Sequence, residues 1–181
     1  MKSAIYATAT VLCLAACNKG PEVDLHNASV NQVSQAVQQS GIVSTTTIEP
    51  GLWESKVTMS GMKMPDVPPQ YAERVKQAMA RADSSHRQCI TAEDLQKPKG
   101  DTFGQDKTCR FDHFTMGGGK IDALMVCKVE NLTHTTTLSG TYTPTTYSMD
   151  ASSSGTGPQA GQTMKVHVDA HRISECPAKS G

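Results

Sequence analysis

Hydrophobic residues along this chain recur mainly at every second position, the period of a half-buried strand. Residues 121–129 show it most clearly. Ile121, Ala123, Met125, Cys127 and Val129 fall on one face, with Asp122 and Lys128 around Leu124 and Val126 on the other. In residues 163–173, Met164, Val166, Val168 and Ala170 point inward and alternate with Lys165, His167, Asp169 and His171. In residues 52–59, Trp53, Val57 and Met59 share a face with Ser55, while Glu54, Lys56 and Thr58 face away. Residues 108–116 and 121–129 flank Gly117-Gly118-Gly119-Lys120, which predicts a hairpin with a turn of several residues. From 131 to 157, 14 of 27 residues are Ser or Thr. Mucin-like disorder is one reading of such a stretch. Leu132, Thr136, Leu138, Tyr142 and Tyr147 punctuate it, however, and Thr suits a solvated strand face. Two strands, about 132–142 and 146–152, are expected there, joined at Pro144.

The period changes over residues 69–83, where Tyr71, Val75, Ala78, Met79 and Ala82 fall at helical spacing. Pro69 suits a first helical turn. Gln88-Cys89-Ile90 is a brief extended piece, and Thr91 with Asp94 resembles a capping box. Residues 17–48 are polar and lack aromatics. Val30, Val33 and Val37 could line one side of a short, marginal helix, and the stretch as a whole reads as a tether reaching ~30 Å. These elements predict a mainly β (α+β) fold: an antiparallel curved sheet or meander of about six to seven strands, with the amphipathic helix at 69–83 packed on it. The domain is expected to span residues 49–178.

Composition narrows the function classes. Only 30 of 181 residues are Leu, Ile, Val or Phe, yet 17 basic and 17 acidic side chains balance, so the charge excess that accompanies disorder is absent. The same balance argues against nucleic acid as a partner. No run approaches the ~18–20 apolar residues of a spanning helix.

The N-terminus carries an address. A Met1-Lys2 start, an uncharged run over 4–16 and Leu14-Ala15-Ala16-Cys17 resemble a secretory signal closed by a bacterial lipobox. This predicts cleavage after residue 16 and a diacylglyceryl group on Cys17, so that the protein meets the membrane through an N-terminal lipid. The alternative is an ordinary signal peptide that contains a Cys and is cut elsewhere. Two or three acyl chains anchor stably, at ~0.8 kcal/mol per buried CH₂. Asn18 rather than Asp after the lipidated Cys resembles the outer-membrane default, on the periplasmic side.

Four cysteines remain for the exported domain: Cys89, Cys109, Cys127 and Cys176. An even set in an oxidising compartment reads as two disulfides. Metal ligation is the alternative, although no CxxC pair occurs. Locality favours Cys89–Cys109, and the shared inward phase of the two strands favours Cys127–Cys176.

Several short motifs together resemble a known family. Gly51-Leu52-Trp53-Glu54, Cys89-Ile90-Thr91, a second Cys before a Phe-containing strand and a Gly-Gly-Lys turn come first. A third Cys closing the next strand, Ser139-Gly140-Thr141-Tyr142 and Arg172-Ile173-x-x-Cys176-Pro177 follow in order. The series resembles the domain of unknown function 3617 family of exported Gram-negative proteins, over about 48–178. The resemblance implies export and a compact disulfide-bonded domain, and it carries over no catalytic residues.

Candidate chemistry is sparse. Met59, Met62 and Met64 form a run of soft thioethers suited to Cu(I), although methionines equally serve as apolar cover. His167 and His171 would lie ~13 Å apart along a strand, too far for one ion. Ser60-x-x-Lys63 lacks the companion motifs of a penicillin-recognising site. The Gly117–Lys120 run is no phosphate loop. Glu93 and Asp94 are neighbours in a helical turn and cannot both face one substrate. With no nucleophile, base and orienter brought together and no cofactor implied, an enzyme is not expected. The expected function is a lipid-anchored envelope module that binds a small apolar ligand or a protein partner, and the alternative is a periplasmic Cu(I)-binding protein.

Overall fold

The structure, a computed structural model, describes residues 20–44, 47–63, 68–82, 85–96, 108–157 and 160–177. The segments proposed as signal (1–16) and lipid site (Cys17), together with Met64, lie outside them. The described elements are β1 (Glu22–Ser29), α1 (Val30–Ser40), β2 (Gly51–Lys63), α2 (Pro69–Ala82), β3 (Ser85–Ile90), α3 (Ala92–Gln96), β4 (Cys109–Gly117), β5 (Lys120–Val129), β6 (Leu132–Tyr142), β7 (Thr146–Gly155) and β8 (Thr163–Ser174). All eight strands join one open antiparallel sheet in the order β1-β4-β5-β6-β7-β8-β2-β3. The fold class is therefore the expected one, with one or two strands more than the pattern showed.

Strands β4 to β8 form a continuous meander, as their short connections require. The β4–β5 turn is tighter than expected. Gly117 pairs with Lys120, leaving a two-residue loop in which Gly118 and Gly119 both have positive φ, 57° and 77°. That is the geometry a hairpin loop of this length needs, and glycine adopts it without steric cost.

Residues 17–48 are not a tether from end to end. β1 pairs along β4, and α1 packs on both. Ser29 and Gln32 form a reciprocal capping box, and Gly41 ends the helix in the left-handed conformation at φ 66°. Val30, Val33 and Val37 are all buried, beneath them lie Val23, Ala28, Phe111, Phe114, Met116, Ile121 and Ala123, and Ile42 closes the cluster. The polar face of α1 is what gives the segment its tether-like composition, while three valines at helical spacing suffice to seal the core.

β1 escapes a period-two search because its phase breaks. Val23 and Ala28 are the buried residues, separated by Asn27 at φ 48°. A matching register shift separates Phe111 from His113 in β4, so its buried residues run Cys109, Phe111, then Phe114 and Met116. Arg110 holds the irregular strand, donating from Nε to Asn27 Oδ1 at 2.9 Å and also to the Asn27 carbonyl.

The helix that builds the core is thus α1 and not the expected one at 69–83. α2 occurs where its period places it; among the described residues its main contact with the sheet is with β2, and Tyr71 is 54% exposed. The capping box at Thr91 is present, with Asp94 N–H donating to Thr91 Oγ1 at 3.2 Å and Thr91 N–H to Asp94 Oδ2 at 2.9 Å.

The disulfides are Cys89–Cys176 and Cys109–Cys127, which corrects the expected pairing. Strand phase identified a face but not a neighbour. β5 and β8 share an inner face with β6 and β7 between them, so Cys127 and Cys176 cannot meet. β3 is one edge and β4 is next to the other, which rules out Cys89–Cys109. Cys109 and Cys127 are instead direct cross-strand partners in the β4–β5 hairpin, and Cys89 reaches Cys176 around β2.

If residues 22–40 were dispensable, truncating α1 would leave stability unchanged. We expect Val33→Ala, which removes two buried carbons, to cost at least ~1.6 kcal/mol and Phe114→Ala ~3–5 kcal/mol, measured by chemical denaturation of the oxidised protein.

Candidate functional site

On the α1 side of the sheet, cross-strand register aligns a broad half-buried face. Tyr142, Tyr147 and Ala170 form one row, Gly140, Met149, Val168 and Val57 the next, and Leu138, Ala151, Val166 and Met59 a third. Alternation along each strand selects these residues, and the meander places them side by side.

One part of this face opens as a cavity of about 380 Å³ with an apolar lining. Met116, Ile121, Tyr142, Tyr147, Met149 and Val168 contribute from β4 to β8, and Ile48 from the segment entering β2. Gly140 makes the floor possible. A Cβ there would stand 2.5 Å from the Ser148 carbonyl oxygen and 2.8 Å from Met149 Cγ, forcing the Met149 side chain to move. Burial raises the Tyr147 hydroxyl above its ordinary value of 10.0. Tyr142 is raised for the same reason, partly offset by a backbone hydrogen bond at Gly119. Both phenols are therefore neutral at any physiological pH and add no charge to the cavity.

One wall is braced by residues that the sequence motifs singled out. Trp53 is buried, stacks on Tyr147 with ring centroids 5.9 Å apart, and donates from Nε1 to the Glu49 carbonyl at 3.0 Å. Arg172 Nε donates to the Pro50 carbonyl at 2.7 Å, and its guanidinium also pairs with Glu175. Gly51 sits beneath that guanidinium, where a Cβ would lie 2.5 Å from Arg172 Nε. The Cys89–Cys176 bridge closes the same corner. Gly51, Trp53, Cys89, Arg172 and Cys176, scattered in sequence, thus form one structural corner that fixes Tyr147 against the cavity.

The methionine run is divided. Met59 faces Val166 across β2–β8, on the same half-buried face as the cavity. Gly61, at φ 65° within a register irregularity, re-aims the strand, and Met62 lines a separate pocket of about 190 Å³ with Met164 and His134. No group of three His, Cys, Asp or Glu suited to a metal occurs among the described residues.

His167 lies on the opposite face and does not approach His171, which points instead toward Glu54 with Nε2–Oε2 of 3.9 Å. Its two ring nitrogens reach Asp150 Oδ1 on β7 and Asp169 Oδ2 on its own strand, each at 2.8 Å. These hydrogen bonds, Asp150 first, raise the imidazole above its ordinary 6.5. The Asp169 carboxyl is lowered, chiefly by its hydrogen bond with Ser148 and then by His167.

The fold and cavity define a class: a disulfide-braced antiparallel sheet with an apolar recess under its N-terminal crossing segment. Residues 48–176 match the family model of the protein of unknown function DUF3617, and the chain belongs to that family. No curated protein and no solved structure matches the chain. β1 and α1 precede the matched region, so part of the core is supplied from outside it.

The paired carboxylates favour protonated His167, so while Asp150 and Asp169 stay ionised the clasp contributes fully below about pH 6.5 and weakens as pH rises through the elevated folded value. We expect an NMR titration to place the His167 midpoint above 6.5 and Asp150→Asn to lower it. An ordinary midpoint in the unsubstituted protein would refute the clasp.

Proposed function

We propose that this protein is a non-catalytic, lipid-anchored module of the bacterial envelope whose sheet receives a small apolar ligand. The observation that carries the reading is the cavity at Ile48, Met116, Ile121, Tyr142, Tyr147, Met149 and Val168. Its volume of about 380 Å³ falls in the ~300–1,000 Å³ range of small-molecule sites. A recess of this size lined by aliphatic, thioether and neutral phenol groups and by Thr141 offers dispersion and desolvation, with no charged group among the described lining residues, which selects for uncharged, hydrocarbon-rich molecules. The half-buried strip from Met149 through Ala151 to Val166 continues the apolar surface and would accommodate a ligand longer than the cavity itself. Envelope location and anchoring rest on the lipobox at Leu14–Cys17 and agree with two disulfides, which persist in an oxidising compartment.

Uptake of a fluorescent phenylnaphthylamine probe tests the site. We expect saturable binding by the full chain in a non-fluorescent detergent below its micellar concentration, competed by a long-chain fatty alcohol. Met149→Trp or Val168→Phe, each filling the recess from its floor, should weaken binding at least tenfold while circular dichroism is retained. Full affinity in both folded variants would remove the cavity as the ligand site. The anchor is tested separately, in cells fed labelled palmitate. Label should enter the unsubstituted protein and disappear with Cys17→Ser, and an unlabelled parent protein would remove the lipid.

A further inference from the structure

The lipid site and the fold together set how far the domain can stand from its membrane. β1 begins at Glu22, five positions after Cys17, so even a fully extended chain keeps Glu22 within ~18 Å of that cysteine. The long tether expected of residues 17–48 is replaced by a short leash. Glu22 pairs with Gly117, the last residue of β4, and this fixes which end of the sheet is held. At that end lie the Gly117–Lys120 turn, the Thr143–Thr146 turn and the corner closed by Cys89–Cys176. Strand β4 has nine residues and runs ~27 Å to the opposite end. A domain standing on that opposite end would raise Glu22 ~27 Å above the bilayer, beyond the reach of the leash. Lying on the outer face of the sheet would press the exposed carboxylates of Asp122, Asp150 and Asp169 into the headgroups, at a cost in desolvation.

The held end is also the end that carries the apolar cavity. Tyr142 and Tyr147 are cross-strand partners beside the Thr143–Thr146 turn, and both line the cavity. Met116 and Ile121 line it one position inside the Gly117–Lys120 turn. Tyr142 N–H donates to the Gly119 carbonyl at 2.8 Å and joins the two turns. Gly118, Gly119, Thr143, Pro144 and Thr145 are uncharged, and Lys120 beside them is an exposed cation. Of the nearby carboxylates, Glu49 and Glu175 face Arg172, and Glu22 sits on the edge strand. Tyrosines, with an apolar body and a polar tip, suit the headgroup level of a bilayer.

We propose that this end of the sheet rests on the bilayer that anchors Cys17, and that the cavity takes the acyl chain of a lipid from that bilayer. The inference rests on the anchored, ligand-binding reading above and names the class and source of the ligand. An acyl chain that passes straight from the bilayer into the recess is not exposed to water on the way, so the hydrophobic cost of leaving the membrane is avoided. The lipid headgroup stays at the interface, which is why a recess lined by apolar groups and neutral phenols suffices to hold a lipid whose other end is charged.

The test uses the lipidated chain, disulfides intact, in vesicles of phosphatidylethanolamine and phosphatidylglycerol. A trace of the phospholipid carries a photoreactive diazirine near the end of one acyl chain. Irradiation should place the label on peptides holding Met116, Tyr142 or Met149, and Met149→Trp, its fold checked by circular dichroism, should reduce it at least fivefold. A Gly/Ser insert of about twenty residues between Gly20 and Pro21 should reduce it severalfold, since effective concentration at the membrane falls as the leash lengthens. In nanodiscs, a lipid with Gd(III) chelated at its headgroup should broaden the amide signals of Gly118, Gly119 and Thr145 and spare Glu130 and Asn131 at the opposite end. Broadening at Glu130 and Asn131 instead, or labelling undiminished by the insert, would overturn the orientation. A cavity left unlabelled in protein that still binds phenylnaphthylamine and incorporates palmitate would overturn acyl capture and leave the earlier reading standing. Loss of phenylnaphthylamine binding or of palmitate incorporation in the parent protein would remove that reading, and this inference with it.

Discussion

The chain has to cross its own sheet. β1 lies at one edge and β2, the next strand in sequence, is the seventh of eight, six strand spacings or ~29 Å away. Residues 30–50 make that crossing, and everything that gives the protein an interior follows from it. An open sheet exposes two faces, and one must be covered by something other than water. α1 covers the half over β1, β4 and β5 with three valines and Ile42, and there the core is closed. Beyond Gly41 the described residues leave the helix for a turn, in which the Thr47 and Ile48 N–H groups donate to the Ser44 carbonyl, and among them Ile48 joins the lining of the recess. The transition from sealed core to open cavity therefore follows the end of α1 at Gly41.

That arrangement explains which parts of the molecule were legible in its sequence. Strands β2 and β4 to β8 declare themselves by alternation because each has one inner and one solvated face, and the Ser/Thr-rich region obeys the same rule around Leu138, Tyr142, Tyr147 and Met149, although Thr136 and Ser153 bring hydroxyls to the inner face. β1 is hidden by its phase break at Asn27, and α1 by a polar surface that outnumbers its three buried residues. Both effects are physical: amphipathic elements at an edge need only a narrow apolar stripe, and a narrow stripe resembles a tether. α2 illustrates the reverse. Its period was plain, yet periodicity shows only that a stripe exists and not that the sheet receives it.

The sites were harder to see for a related reason. A strand's period assigns a residue to a face, whereas a site depends on strand order, which a single chain does not display. Cys127 lies on the inward series of β5 and bonds across the hairpin to Cys109, whereas Cys176 lies beyond the end of β8 and bonds to Cys89. That Met62, Met164 and His134 line one pocket carried no signal, since three different strands supply them. By contrast, the Gly51, Trp53, Arg172 and Cys176 motifs were visible as residue patterns. Only the folded corner shows what they have in common, with glycine making room for a guanidinium and the tryptophan steadying Tyr147.

The longer disulfide has one further consequence. Joining Cys89 to Cys176, 87 positions apart, encloses α3 and all of β4 to β8 in a covalent ring, from which β1, α1, β2 and α2 hang as a noncovalently docked arm. A protease that nicks the chain once between those cysteines therefore releases no fragment, because both new ends stay tied to the same molecule. The cleaved protein keeps every strand at its original local concentration, and the ladder can re-form around the break. At the envelope surface proposed above, where chaperones that consume ATP are out of reach, such a ring would turn an otherwise terminal injury into a repairable one.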